Sequence, residues 1–345
     1  MESRVTPTIA AEDDDSPRRG MMKAVAQERY GAPGDVLELR VIDRPVPADD
    51  EVLIQVHAAG VDPGVWHLTA GLPYLVRIMG YGLRQPKTQV AGMDVAGRVE
   101  AVGKGVTQFQ PGEEVFGAGR GSFAEYALAS VEKLAHKPAN ATFEQAAVVP
   151  VSAVTALQGL RDAGRIQAGQ TALIIGAGGG VGSFAVQIAK AFGAEVTAVC
   201  STGKVDLVRS IGADHVIDYT KEDFATRGER YDLILDTGGR RPLSLLRRAL
   251  APNGTLVLVG GEWGGRWTGG FGRHLRAAML SPFLGQNLRP VMARETREDL
   301  LVLKDLIEAG KVTPVIDRVY ALNDAAEAVQ YVEDGHARGK TVITI

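Results

Sequence analysis

Five glycines, at 176, 178, 179, 180 and 182, stand between an apolar strand-like run, TALIIGA (171–177), and a helix-like run, VGSFAVQIAKAFGA (181–194). Glycine lets a backbone turn tightly and come close to a pyrophosphate, and a helix N-terminus offers free N–H groups and the positive end of its dipole. The strand before, the helix after and the next strand, EVTAVC (195–200), supply the context that separates a dinucleotide loop from an ordinary glycine-rich turn. An NAD site expects Asp or Glu at the end of the second strand, to hold the ribose 2′-OH. Here that strand runs into Cys200, Ser201, Thr202, Gly203 and Lys204, with no acid over 196–203. Two hydroxyls and a lysine suit a 2′-phosphate, so NADP(H) is the expected cofactor. Cys200 reads as a small buried strand residue.

The elements that must position this loop show two patterns. EVLIQVHAAGV (51–61) alternates apolar and polar residues as a half-buried strand does. VAGRVEAVG (95–103), EEVFGAG (113–119) and GSFAEYALAS (121–130) follow, separated by turn residues, which predicts a compact barrel or sandwich. TFEQAAVVPVSAVTALQGLRDAG (142–164) reads as one helix. From about 170, strands and helices alternate, and HVIDY (215–219), YDLILD (231–236) and GTLVLVG (254–260) continue the pattern. This predicts a parallel, doubly wound sheet. Near the C-terminus, 297–311 reads as an amphipathic helix stopped at Gly310 and 313–320 as a strand. A helix over 323–335, capped by Asn323 or Asp324, and a closing strand, KTVITI (340–345), complete the chain.

The composition bounds the class. The chain has 345 residues, 45% hydrophobic and 23% charged, with a formal net charge of −3. That length suits two domains, and that charge gives no bulk grip on nucleic acid or anionic membrane. The 42 glycines are about 12% of the chain, against a usual value of roughly 7%. The single cysteine excludes an intramolecular disulfide and a cysteine-based structural zinc site, and it suits a reducing, cytoplasmic setting. Residues 1–20 lack the apolar core of a signal peptide and read as a disordered tail.

Several stretches together resemble the medium-chain dehydrogenase/reductase superfamily, in its zinc-free quinone oxidoreductase-like branch. They are YGAPGDVLEL (30–39), VAGMDVAGRVEAVGKGV (90–106), GEEVFG (112–117), GSFAEYA (121–127), GAGGGVGSFAVQIAKAFGA (176–194), GADHVIDYTKEDF (212–224), YDLILDTGG (231–239) and GKTVITI (339–345). The resemblance implies an α/β fold: a GroES-like β domain over 21–146 completed by 313–345, and a Rossmann domain over 147–312, with the active site between them. It implies that Gly176, Gly179, Gly180, Val181 and Gly182 contact the pyrophosphate. It places Ser201, Lys204 and Tyr219 around the adenosine 2′-phosphate, and Gly260 and Gly261 near the nicotinamide. A homodimer formed through the Rossmann sheet is the expectation for assembly.

Zinc members carry a cysteine, a hydroxyl two residues later and often a histidine five residues after the cysteine. Here those positions are Asp62, Gly64 and His67. The second ligand position falls at Met93, in Gly92, Met93 and Asp94, and the third falls in VVPVSAV (148–154), which has neither cysteine nor histidine. A catalytic zinc needs about three protein ligands, and a lone carboxylate cannot hold it. No metal is therefore expected. Without that Lewis acid, hydride transfer to a quinone or an α,β-unsaturated carbonyl is easier than oxidation of an alcohol. His67 and then Tyr74 are the candidate proton donors, while Asp62 either binds the nicotinamide ribose or orients His67. Leu75, Val76, Ile78, Met79 and Tyr81 suit a cap over an apolar acceptor. Two other readings stay open: a metal-free NAD(P)-dependent alcohol or carbonyl dehydrogenase, and an NADPH-binding protein with a structural or regulatory role.

Overall fold

A computed structural model describes residues 20–260 and 265–345, so the tail up to residue 19 and Gly261 lie outside the described residues. The strands are β1 (Met21–Ala26), β2 (Glu38–Asp43), β3 (Glu51–Val61), β4 (Asp94–Val102), β5 (Glu114–Ala118), β6 (Tyr126–Ser130) and β7 (Leu134–His136). They continue with β8 (Thr171–Ile175), β9 (Glu195–Cys200), β10 (His215–Asp218), β11 (Tyr231–Asp236), β12 (Leu250–Leu258), β13 (Asn287–Pro290), β14 (Ile316–Ala321) and β15 (Lys340–Thr344). The helices are α1 (Pro33–Val36), α2 (Pro63–Ala70), α3 (Tyr74–Val76), α4 (Phe143–Ala147), α5 (Pro150–Gln158) and α6 (Gly180–Ala191). After these come α7 (Val205–Ser210), α8 (Leu243–Ala249), α9 (Phe271–Leu280), α10 (Arg297–Glu308) and α11 (Ala325–Glu333).

Two larger sheets result. Six parallel strands take the order β10-β9-β8-β11-β12-β13, the doubly wound arrangement that the alternating pattern predicts. The other sheet runs β14-β15-β3-β4-β5-β7, with β6 also on β3. The last strand of the chain thus pairs with β3, Val342 opposite Gly60 and Ile343 opposite Ala59. A β1–β2 hairpin stands beside it. The fold is α/β, a largely antiparallel β unit joined to a doubly wound parallel sheet.

One expected helix is two. The run 142–164 breaks between α4 and α5, because Pro150 has no N–H to continue the ladder and constrains the residue before it. Thr142 and Gln145 close α4 with a capping box. Asp324 does precede α11, but its side chain makes no capping hydrogen bond. The buried core crosses between the sheets: Ala58 and Ala96 join Leu157 and Leu160 of the 150–163 segment, then Ala172, Ile174 and Val257. The two sheets share one hydrophobic cluster.

Candidate active site

At the end of β8 the chain turns through Gly176, whose φ is +81°. A Cβ on Gly182 would lie 2.1 Å from the Gly176 carbonyl oxygen, so only glycine fits this crossing of loop and helix. Ser183 is the first residue of α6 to bond back, to the Gly179 carbonyl at 2.9 Å. The N–H groups of Gly180, Val181 and Gly182 come before that bond and are available to an anion. The cradle fits a dinucleotide pyrophosphate.

The three residues expected around the adenosine 2′-phosphate, Ser201, Lys204 and Tyr219, lie near one another. Ser201 follows β9, Tyr219 follows β10, and Tyr219 N–H donates to the Cys200 carbonyl at 3.0 Å. The ring of Tyr219 is exposed. Lys204 lies across the glycine loop, its methylenes where a Gly178 Cβ would fall, and its ammonium donates to the Ala337 carbonyl at 2.5 Å. Burial lowers the Lys204 pKa, and Asp317 partly offsets that. Sequence reading missed two neighbours. Arg338 brings a guanidinium nitrogen to 3.5 Å from where a Gly203 Cβ would sit. Asp218 ends the next strand and accepts from Thr202 Oγ at 2.6 Å, so an acid does reach this end, delivered from outside 196–203. Hydrogen bonding from Thr202 is the main reason its carboxyl is held down at about 2. Cys200 is buried, and its thiol is pushed up to about 11 by that burial.

His67 sits on α2, half-buried, with Nδ1 2.7 Å from the Leu72 carbonyl. A carbonyl only accepts, so Nδ1 carries the proton and Nε2 of the neutral ring is an acceptor. Burial lowers the His67 pKa, and the Leu72 bond offsets part of that. Asp62 does not orient this ring. It is buried, with Lys340 and Ser152 as its hydrogen-bond partners. Tyr74 N–H donates to the Arg266 carbonyl at 2.8 Å, Leu75 N–H to the Trp267 carbonyl at 3.1 Å, and the Tyr74 and Trp267 rings meet edge to face at 5.3 Å. The 71–89 segment therefore reaches the loop that follows β12. Ile78, Met79 and Tyr81 stand exposed on this segment and form no sealed cap.

On the nicotinamide side, a Cβ on Gly260 would lie 2.3 Å from the Thr237 carbonyl oxygen. The nearby Arg273 pairs at 2.5 Å with the fully buried Asp236, whose other oxygen accepts the Gly238 and Gly239 N–H groups. Beneath the cleft, Lys340 Nζ reaches Asp62, Ser152 at 3.0 Å and Asp94 at 3.9 Å. Lys340 was invisible to sequence reading, because its partners lie 278, 188 and 246 positions away; the one signal is a lysine opening a final strand with no other charge. Met93 packs at Gly64, its Cε 3.1 Å from where a Cβ would stand. Among the described residues no group of three His, Cys, Asp or Glu side chains is placed to hold a metal ion.

The profile of the alcohol dehydrogenase GroES-like domain matches residues 48–139, and that of the zinc-binding dehydrogenases matches residues 211–343. The mouse mitochondrial NAD(P)H oxidoreductase RTN4IP1 is 35% identical, over 96% of this chain and 91% of its own. The tomato (Solanum lycopersicum) 2-methylene-furan-3-one reductase is 34% identical, over 93% of this chain and 79% of its own. The solved quinone oxidoreductase from Coxiella burnetii superposes with a TM-score of 0.81 at 28% identity, covering 94% of this chain and 99% of that one.

Proposed function

This chain belongs to the medium-chain dehydrogenase/reductase superfamily, in its quinone oxidoreductase-like branch, and from that premise we propose that it reduces quinones or α,β-unsaturated carbonyls with NADPH and without zinc. That it is an oxidoreductase using a nicotinamide cofactor follows from the family and its named relatives. The observation that carries the zinc-free reading is the Lys340 ammonium, buried against Asp62 where zinc members set a metal ligand. A divalent cation brought there would meet a positive charge already in place. Met93, at the second ligand position, is a soft thioether and a poor zinc ligand.

A bound nicotinamide supplies the hydride. The protein's own part is to hold, orient and exclude water. The α6 N-terminus receives the pyrophosphate. Lys204 and Arg338 suit a 2′-phosphate beside Ser201, although Lys204 must leave the Ala337 carbonyl to reach it and Asp218 opposes the added charge. The Tyr74–Trp267 contact narrows the mouth of the cleft over the acceptor. His67 passes a proton to the reduced acceptor only after its Nε2 gains one, since its resting tautomer accepts there. Assembly as a homodimer is supported by β13, an edge strand flanked by exposed Met279, Phe283 and Met292.

The test is a panel of quinones, enones and simple ketones, each offered with NADPH and with NADH. Fast NADPH consumption with quinones or enones and slow consumption with ketones is expected. Rapid oxidation of simple alcohols with NADP⁺, abolished by a chelator, would overturn the reading. NADPH binding without turnover on any acceptor would favour a binding role.

A further inference from the structure

Two carboxyl groups and one ammonium are buried together where the two sheets meet. Asp62, Asp94 and Lys340 are 3%, 0% and 2% exposed. Lys340 Nζ donates to Asp62 Oδ1 and to Ser152 Oγ, which itself lies 2.8 Å from Asp62 Oδ1. Asp94 Oδ1 accepts the Val151 N–H at 3.1 Å, at the start of α5. Gly60 makes room for Asp94, because a Cβ there would lie 3.0 Å from Asp94 Oδ2. That leaves Asp62 Oδ2 and Asp94 Oδ2, both buried and both without a hydrogen-bond partner. Two anions sharing one cation would also leave a net negative charge out of water, which is costly. The two side chains are within hydrogen-bonding reach of each other, so one proton held between the two oxygens removes both difficulties, since neighbouring carboxylates cannot both ionise.

We propose that Lys340 is a positioning residue for hydride transfer, and that Asp94 carries the proton of a carboxyl pair shared with Asp62, so that a neutral cluster ties the β unit to the first turn of α6. This rests on the reading of the cleft as the hydride-transfer site. The electrostatics agree. Burial, and then the charge of Asp62, holds the Asp94 carboxyl well above the ordinary range. Burial also pushes Asp62 up, but the Lys340 charge and the hydrogen bonds around it outweigh that and hold Asp62 below its ordinary value. The cluster lies against the glycine loop on one side and the start of α2 on the other. A Cβ on Gly180 would lie 3.0 Å from Lys340 Cδ and 3.3 Å from Ser152 Oγ, and Gly339 N–H donates to the Gly178 carbonyl at 3.1 Å. On the other side, Asp62 immediately precedes α2, which carries His67. The phosphate loop and the acceptor wall are thus held at one spacing by one ammonium.

The full-length chain is compared with Asp94→Asn, Asp62→Asn, Lys340→Met and the Asp62→Asn/Lys340→Met double variant. The infrared difference between wild type and Asp94→Asn at neutral pH should show a protonated-carboxyl stretch that the variant lacks. Asp94→Asn, an isosteric and equally neutral group, should lower kcat by less than about threefold, whereas Asp62→Asn and Lys340→Met should each lower it by more than about thirtyfold. NADPH affinity should shift far less than kcat in both. The double variant, which removes both charges, should recover at least about tenfold over Asp62→Asn. Absence of the carboxyl band, equal damage from Asp94→Asn and Asp62→Asn, or a kcat untouched by Lys340→Met would overturn the proposal. Should the single-charge variants fail to fold, the infrared comparison still decides the proton. A wild type that oxidises no NADPH with any acceptor would sink the functional reading alone, because the carboxyl band is read without turnover.

Discussion

His67 shows how one hydrogen bond changes a residue's chemistry. The sequence singles it out as an acid, while the Leu72 carbonyl and burial make it a neutral ring with an accepting Nε2. Its folded pKa is depressed, so its contribution to stability is present above the unfolded value near 6.5 and is lost as pH falls through the folded pKa. In His67→Ala the thermal midpoint should lose that part of its acid sensitivity. Turnover in the same variant should fall by about 10²-fold with NADPH affinity little changed; an unchanged rate would remove His67 from the reaction. At the other end of the cleft, Lys204→Asp should weaken NADPH binding by about 10–100-fold and favour NADH relatively, as titration of both cofactors would show. Equal NADPH affinity would mean that Arg338 and Ser201 suffice. Lys204 was legible because it follows the second strand directly. Arg338 and Asp218 were not, because they reach the same place from other strands and loops.

The elements read most clearly were those with a strong local pattern. β3 spans the same residues, 51–61, as the alternating run that predicts it, and α6 follows the glycine loop directly. Several of the elements missed are short or contain proline. β13 is four residues ending in Pro290, too brief for an alternation to register, and Pro150 cuts a run whose apolar spacing otherwise continues. The glycine loop carries the sharpest element-level prediction. In Gly182→Ala the new methyl would fall 2.1 Å from a carbonyl oxygen, so loop and helix must separate. A stability loss of about 1–3 kcal/mol is expected, with cofactor binding lost more completely than stability, as denaturation and fluorescence titration would register. Retained affinity would mean that the crossing is softer than its geometry.

At the scale of the whole molecule, the chain joins two sheets across a cleft whose floor, rim and phosphate end come from residues far apart in sequence. The α/β class and the closing strand were legible because periodicity and motif order are local. The clamp at Lys340 was not, because it exists only after β15 has paired with β3. The outer edge of the parallel sheet bears on assembly. Phe283 is 85% exposed beside β13, and a face of that kind suits burial against a second copy. Phe283→Asp should convert a dimer to monomer in light scattering while leaving the folded secondary structure intact, and a wild type already monomeric would contradict the dimer.

The central claim is hydride transfer from NADPH to a conjugated acceptor without metal. Stripping the protein with a chelator, confirming by elemental analysis that zinc is gone, and supplying an enone with NADPH carrying deuterium at both nicotinamide C4 positions puts this to the test. The expected result is a rate equal to that of the unstripped protein with the same cofactor, with deuterium delivered to the β-carbon of the product. A rate that collapses on stripping and returns with zinc, or a product without the label, would contradict it.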